Sequence, residues 1–148
     1  FLAFFLVTFK VFLEKIEDRK FLFLLILSLA LSFAVVKVIH IVSFFPRPFQ
    51  TFSIIPLVSY DASSSFPSFH TTIMTVLAFS LLFTKSKLAN FMILATIFVG
   101  IARVYVGVHY PLDILGGIVV GFSSTFLINF LVKRFLKNIW MPDKIKSR

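Results

Sequence analysis

The run from Phe21 to Phe45 constrains this chain most: 25 residues broken only by Ser28, Ser32, Lys37, His40 and Ser43. As a helix rising 1.5 Å per residue it exceeds the ~30 Å hydrocarbon thickness of a bilayer. Pro46 and Pro48 close it, because a prolyl ring removes a donor and clashes with the preceding turn. Four further apolar stretches share the chain: Phe1 to Leu13, Ser68 to about Thr84, about Leu88 to about Arg103, and Leu112 to Val132. Composition makes the same demand. Of the 148 residues, 59% are hydrophobic and 14% charged, against about 25% charged in soluble domains. A soluble domain of this size leaves roughly 30–40% of its chain surface in water and cannot hide 22 Phe. These numbers exclude disorder, and the lack of Cys excludes a disulfide scaffold. The expected fold is all-α: a polytopic transmembrane helical bundle forming one domain over residues 1–148, with five hydrophobic segments.

The segment boundaries carry their own signals. Glu14 to Lys20 reads as a polar hairpin and Lys85 to Lys87 as a tight turn. Phe49 to Phe66 is a long Ser-rich connection, Ser68 is placed to N-cap the next helix, and Pro111 sits at a first helical turn. Phe1 to Leu13 is too short to span upright, which suits a truncated or tilted helix; with no initiator Met, an N-terminal part is expected before it. Its length also fits a signal-peptide core, but no small-residue cleavage site follows and the charged stretch comes after it.

The net charge of +9 is read as loop placement, not as a nucleic-acid footprint. Threading the segments antiparallel puts Lys15, Arg19, Lys20, Lys85, Lys87, Lys133, Arg134, Lys137, Lys144, Lys146 and Arg148 on one side. Only Arg47 and Arg103 fall on the other, while Lys10 and Lys37 lie within apolar segments. The positive-inside bias makes the rich side cytoplasmic.

Arg47 and Arg103 then need another reason to be where they are. His40, His70 and His109, all the histidines of the chain, fall near the same surface, and so does Asp113. Taken singly, each has an ordinary explanation: a hydrogen-bonded His at a helix end, an Arg reaching lipid phosphate, an Asp in a first helical turn. Six together at membrane depth point to function. Two guanidinium groups suit phosphate oxygens, and a helix beginning at Ser68 offers unpaired N–H groups to an anion. Asp113 follows His109 by four residues, so it can fix the imidazole tautomer and leave the other nitrogen nucleophilic. His70 is placed to protonate a leaving oxygen. With no Cys, and only Asp61 and Asp113 acidic on this side, a metal route is unsupported.

At these residues the sequence resembles the type-2 phosphatidic acid phosphatase superfamily, integral-membrane relatives of vanadium haloperoxidases. The family motifs are K-x6-R-P, P-S-G-H and S-R-x5-H-x3-D. Here the third reads Ala102-Arg103, His109, Asp113; the second reads Pro67-Ser68-Phe69-His70; the first ends at Arg47-Pro48. The motifs stretch from Lys37 to Asp113, about half of the chain. Three positions depart: His40 stands where the motif Lys falls, with Lys37 one turn earlier, Phe69 replaces Gly, and Ala102 replaces Ser.

The resemblance implies six membrane helices, the first supplied by sequence before Phe1, and a phosphohydrolase that needs no metal or other cofactor. It implies that His109 forms a phosphohistidine, Asp113 orients it and His70 acts as acid and then base. Arg47, Arg103, Ser68 and Lys37 or His40 are implied to bind phosphoryl oxygens. The implied partner is a membrane lipid phosphate in the bilayer, with no nucleic acid and no obligatory protein partner. The implied location is the bacterial inner membrane, with the site on the extracytoplasmic side. Pro46-Arg47-Pro48-Phe49 and Asp61 to His70 look most like the undecaprenyl-diphosphatase branch. Phosphatidylglycerol phosphate and lipid A 1-phosphate are the alternative substrates. A non-catalytic phospholipid-binding protein, suggested by Phe69 and His40, is the alternative of another class.

Overall fold

The computed structural model describes residues 19–52, 55, 57 and 63–135. Phe1 to Leu13, Asp61 and the basic tail beyond residue 135 lie outside them. All regular structure among the described residues is helical: α1 Arg19–Val42, α2 Pro48–Thr51, α3 Phe69–Phe83, α4 Ala89–Tyr105 and α5 Pro111–Phe135. α1 and α5 are long and apolar enough to cross a membrane. The apolar α3 and α4, of 15 and 17 residues, reach about 22 and 26 Å.

α1 ends at Val42, three residues before the expected Phe45. Residues 43–45 leave the helix to bind the incoming loop. Phe45 N donates to Ser64 Oγ at 3.2 Å, Phe45 O accepts from Ser65 N at 2.8 Å, and Ser64 Oγ donates to Ser43 O at 3.3 Å. The Ser-rich connection also contains the short α2, which Pro48 begins and Gln50 fastens by accepting the Arg47 N–H at 2.8 Å. Ser68 does precede α3, but its side chain makes no capping bond. Its Oγ instead accepts from Thr71 Oγ1 at 3.2 Å, and its N–H donates to Asp113 O at 2.9 Å.

α3 packs against α1, α4 and α5, and α5 packs also on α1. The helices meet through small residues. A Cβ on Gly117 would lie 2.6 Å from Ser68 O, and one on Gly121 2.8 Å from Thr72 O. That spacing of four lets α3 and α5 come together backbone to backbone. Ser28, Ser32, Thr71, Thr72, Thr75 and Thr125 are buried, whereas Ile41, Phe98, Phe126, Phe130 and Phe135 face outward. Thr72, Thr75, Thr96 and Thr125 turn their hydroxyls back to the carbonyl four residues earlier, at 2.8–2.9 Å. Small hydroxyl residues inside, several of them bonded to their own helix, beneath an apolar coat suit a lipid surrounding.

The antiparallel course of α1, α3, α4 and α5 sorts the charges. Arg19, Lys20, Lys85, Lys87, Lys133 and Arg134 fall at one end. The end of α1, α2, the start of α3, the end of α4 and the start of α5 gather at the other. The candidate residues lie there.

Candidate active site

Arg47, between α1 and α2, is 3% exposed, and all five of its N–H donors have acceptors. Nε donates to Ser63 O at 3.0 Å, and Nη2 to Ser63 Oγ and Ser64 O, both at 3.1 Å. Nη1 donates to Val108 O at 2.9 Å and faces His109 Nε2 at 3.3 Å. One guanidinium thereby ties the loop before α3 to the loop before α5.

His109 is buried in that second loop, and its two ring nitrogens meet opposite partners. An arginine only donates, so Nε2 facing Nη1 is the nitrogen with the free lone pair, and Nδ1 carries the proton. Nδ1 lies 3.4 Å from Asp113 Oδ2. Asp113 stands in the first turn of α5, where the positive end of the helix favours a carboxylate. Its Oδ2 accepts the Tyr110 N–H at 2.7 Å and the Ser65 hydroxyl, which also lies 3.4 Å from His109 Nδ1. Burial pushes the His109 pKa below its ordinary 6.5; the bond and charge of Asp113 oppose this, while Arg47 and Arg103 reinforce it. The shift favours the neutral imidazole.

His70 is exposed in the first turn of α3, within electrostatic range of Arg103, His109 and Arg47. Arg103, half-buried in the last turn of α4, is within the same range of both His70 and His109. The fold thus brings Arg47, His70, Arg103, His109 and Asp113 together, with Ser68 beside them through its bond to Asp113 O.

Two other sequence candidates are placed differently. His40 Nε2 approaches Pro67 O at 3.3 Å, tying the end of α1 to the start of α3. Lys37 is exposed, its ammonium 5.6 Å from the centroid of the Phe33 ring. The departures from the family motifs also find places. Phe69 turns its ring edge-on to Phe33, centroids 5.7 Å apart, with no positive φ that would call for glycine. Ala102 is exposed. Among the described residues, no three His, Cys, Asp or Glu side chains group as metal ligands would.

Sequence reasoning missed Ser63, Ser64, Ser65, the Val108 carbonyl and the Tyr110 N–H. Backbone partners leave no residue-type signal, and the run of three serines reads only as a polar loop.

The model of the PAP2 superfamily matches residues 21–137 of the chain. The undecaprenyl-diphosphatase BcrC of Bacillus subtilis is 37% identical over 97 residues, covering 66% of this chain and 48% of that protein. The chain therefore spans about half the length of this relative. The crystal structure of Aquifex aeolicus LpxE superposes with a TM-score of 0.69 at 25% identity, over 86% of this chain and 76% of that one. A transmembrane PAP2-type phosphatidylglycerolphosphate phosphatase from Bacillus subtilis superposes with a TM-score of 0.63 at 29% identity, over 76% and 59%.

Proposed function

The chain belongs to the PAP2 superfamily, and on that premise we propose that it hydrolyses a membrane lipid phosphate or diphosphate through a phosphohistidine at His109. The observation that carries this reading is the placement of His109 between Asp113, whose carboxylate faces its Nδ1–H, and Arg47, which faces its Nε2 lone pair. A phosphoryl group entering at Nε2 takes over N–H donors of Arg47, joined by Arg103. The guanidinium pair then stabilises the charge of five-coordinate phosphorus.

Nε2 forms the N–P bond as the P–O bond to the leaving group breaks, and the leaving oxygen takes a proton from His70. Asp113 balances the positive charge that develops on the imidazole. Water next attacks phosphorus and gives a proton to His70. The N–P bond breaks, its electron pair returns to Nε2, and phosphate departs. Every step uses groups of this chain.

Undecaprenyl diphosphate is the preferred substrate in this reading, supported by the likeness to BcrC and by the Pro46–Phe49 and Asp61–His70 stretches. Phosphatidylglycerol phosphate, in the name of the second solved relative, is the runner-up. The whole chain acts as one domain of a bacterial inner-membrane protein, with its site on the extracytoplasmic side.

The test is phosphate release by purified protein from undecaprenyl diphosphate, phosphatidylglycerol phosphate and lipid A 1-phosphate, with EDTA and with vanadate. Turnover that survives EDTA, stops with vanadate and disappears in His109→Ala supports the reading. Loss on chelation that Mg²⁺ or Zn²⁺ restores would refute the mechanism. No turnover of any lipid would leave phospholipid binding as the better account.

A further inference from the structure

The geometry points to Ser65 as a positioning residue that holds the Asp113 carboxylate at the angle His109 needs. This rests on the proposal that His109 is the nucleophile. Ser65 lies outside the three sequence motifs and touches no reacting atom. It is fully buried, and its backbone N–H already fastens the loop to Phe45 O at 2.8 Å. Its hydroxyl is therefore not needed as the loop's anchor. It donates to Asp113 Oδ2 and lies 3.4 Å from His109 Nδ1, between the two halves of the pair.

The physical reason lies in the carboxylate. A carboxyl group turns easily about its last bond, since that torsion has only broad, shallow preferences. The Tyr110 N–H, at 2.7 Å, holds Oδ2 from the chain side alone. A second donor on the same oxygen, from another segment of the chain, restrains that rotation and keeps Oδ2 on the Nδ1 side of the ring. Ser65 supplies that donor. It also shares the charge of Oδ2, so less negative potential falls on the imidazole. Ser65 stands on the Nδ1 side of the ring, opposite the Nε2 face where phosphate would enter, so substrate affinity should not depend on it.

The charged and titratable groups facing His109 are Arg47 from the loop after α1, His70 from α3, Arg103 from α4 and Asp113 from α5. Ser65→Ala changes none of them. It removes one donor from Asp113, which strengthens the carboxylate's pull on the His109 proton.

The experiment compares full-chain wild type, Ser65→Ala, Ser65→Cys and His109→Ala on undecaprenyl diphosphate and phosphatidylglycerol phosphate in mixed micelles. It records kcat, KM, the pH profile of kcat/KM and the melting temperature. Ser65→Ala should lower kcat by roughly 10- to 100-fold, the usual scale for a bond to a charged group, with KM nearly unchanged. Its acid limb should move to higher pH. Ser65→Cys keeps nearly the same shape with a weaker donor, so both effects should be smaller and in the same direction. If Ala loosens the fold too far to assay, the Cys profile decides.

A wild-type kcat and acid limb in the serine variants, with His109→Ala inactive, would overturn the role of Ser65 and leave the phosphatase reading standing. A rate loss that tracks melting temperature with an unmoved acid limb would equally overturn it, as the mark of a packing role. Turnover by His109→Ala, or none by wild type, would instead bring down the underlying reading.

Discussion

At His109, two neighbours of opposite charge divide the imidazole between them. Asp113 holds the proton on Nδ1 and Arg47 faces Nε2, so the nitrogen that would attack is the one without hydrogen. Burial and the two arginines win over Asp113, and the pKa lies below 6.5. A depressed value means that the neutral form persists throughout the neutral range and protonates only as pH falls through the folded-state value. The acid limb of kcat/KM assigned to His109 should therefore lie below 6.5. A nitrogen-15 NMR titration of the His109 ring checks the same quantity, and a midpoint above 6.5 would contradict the balance of charges. Stability follows the same sign: the contribution of His109 is full above the unfolded value and is lost as pH falls through the folded one. Sequence spacing made the His109–Asp113 pair legible, because four residues carry the chain from one helical approach to a first turn. It could not reveal that all five Arg47 donors meet protein acceptors, since three of those are carbonyls of residues 16 to 61 positions away.

Among the elements, the α3–α4 turn carries the one described non-glycine residue with positive φ. Lys85 sits at φ 56, its N–H bonded to Leu82 O and the Ser86 N–H bonded to Leu81 O, each at 2.9 Å. This is the paired closure that ends helices, in which the left-handed position usually falls to glycine. An L residue there costs about 1–2 kcal/mol, partly offset because glycine has more freedom to lose on folding. Lys85→Gly should therefore stabilise the protein by up to about 1 kcal/mol. Thermal unfolding in detergent, with a melting point raised by a few degrees, is the check; a lowered one would mean that the Lys85 side chain contributes more than its backbone costs. Hydropathy located α1, α3, α4 and α5 but not the short α2, and Pro111 marked the start of α5. It misjudged the end of α1, because residues 43–45 leave the helix for bonds to Ser64 and Ser65, some twenty residues on.

Over the whole molecule, six described basic residues lie at the end opposite the candidate site. By the positive-inside bias, that asymmetry supports the proposal of a site outside the cytoplasm. The chain has no Cys, so single introduced thiols report without background. Ile55 is 94% exposed, and nearby Leu57 donates its N–H to Val106 O at the site end. Lys87 is exposed at the opposite end. In intact spheroplasts, Ile55→Cys should react with a membrane-impermeant thiol reagent and Lys87→Cys should react only after lysis. The reverse pattern would place the site in the cytoplasm.

The sequence alone determined the helical membrane class, the antiparallel sorting of charge and which ionisable residues fall near one end of the bundle. Each of those depends on local quantities: the length of an apolar run, the side on which a Lys falls, a spacing of four along one helix start. Tertiary structure decided which candidates meet. His40 goes to the Pro67 carbonyl and Lys37 to the Phe33 ring, whereas Ser65, which no motif singled out, reaches Asp113. It also decided how closely α3 and α5 approach, through Gly117 and Gly121 against the backbone of Ser68 and Thr72. A hydroxyl, an ammonium or a ring has several acceptable partners along any chain. Only the packing of distant segments selects one, since a buried polar group must be satisfied by whatever the fold brings within about 3 Å.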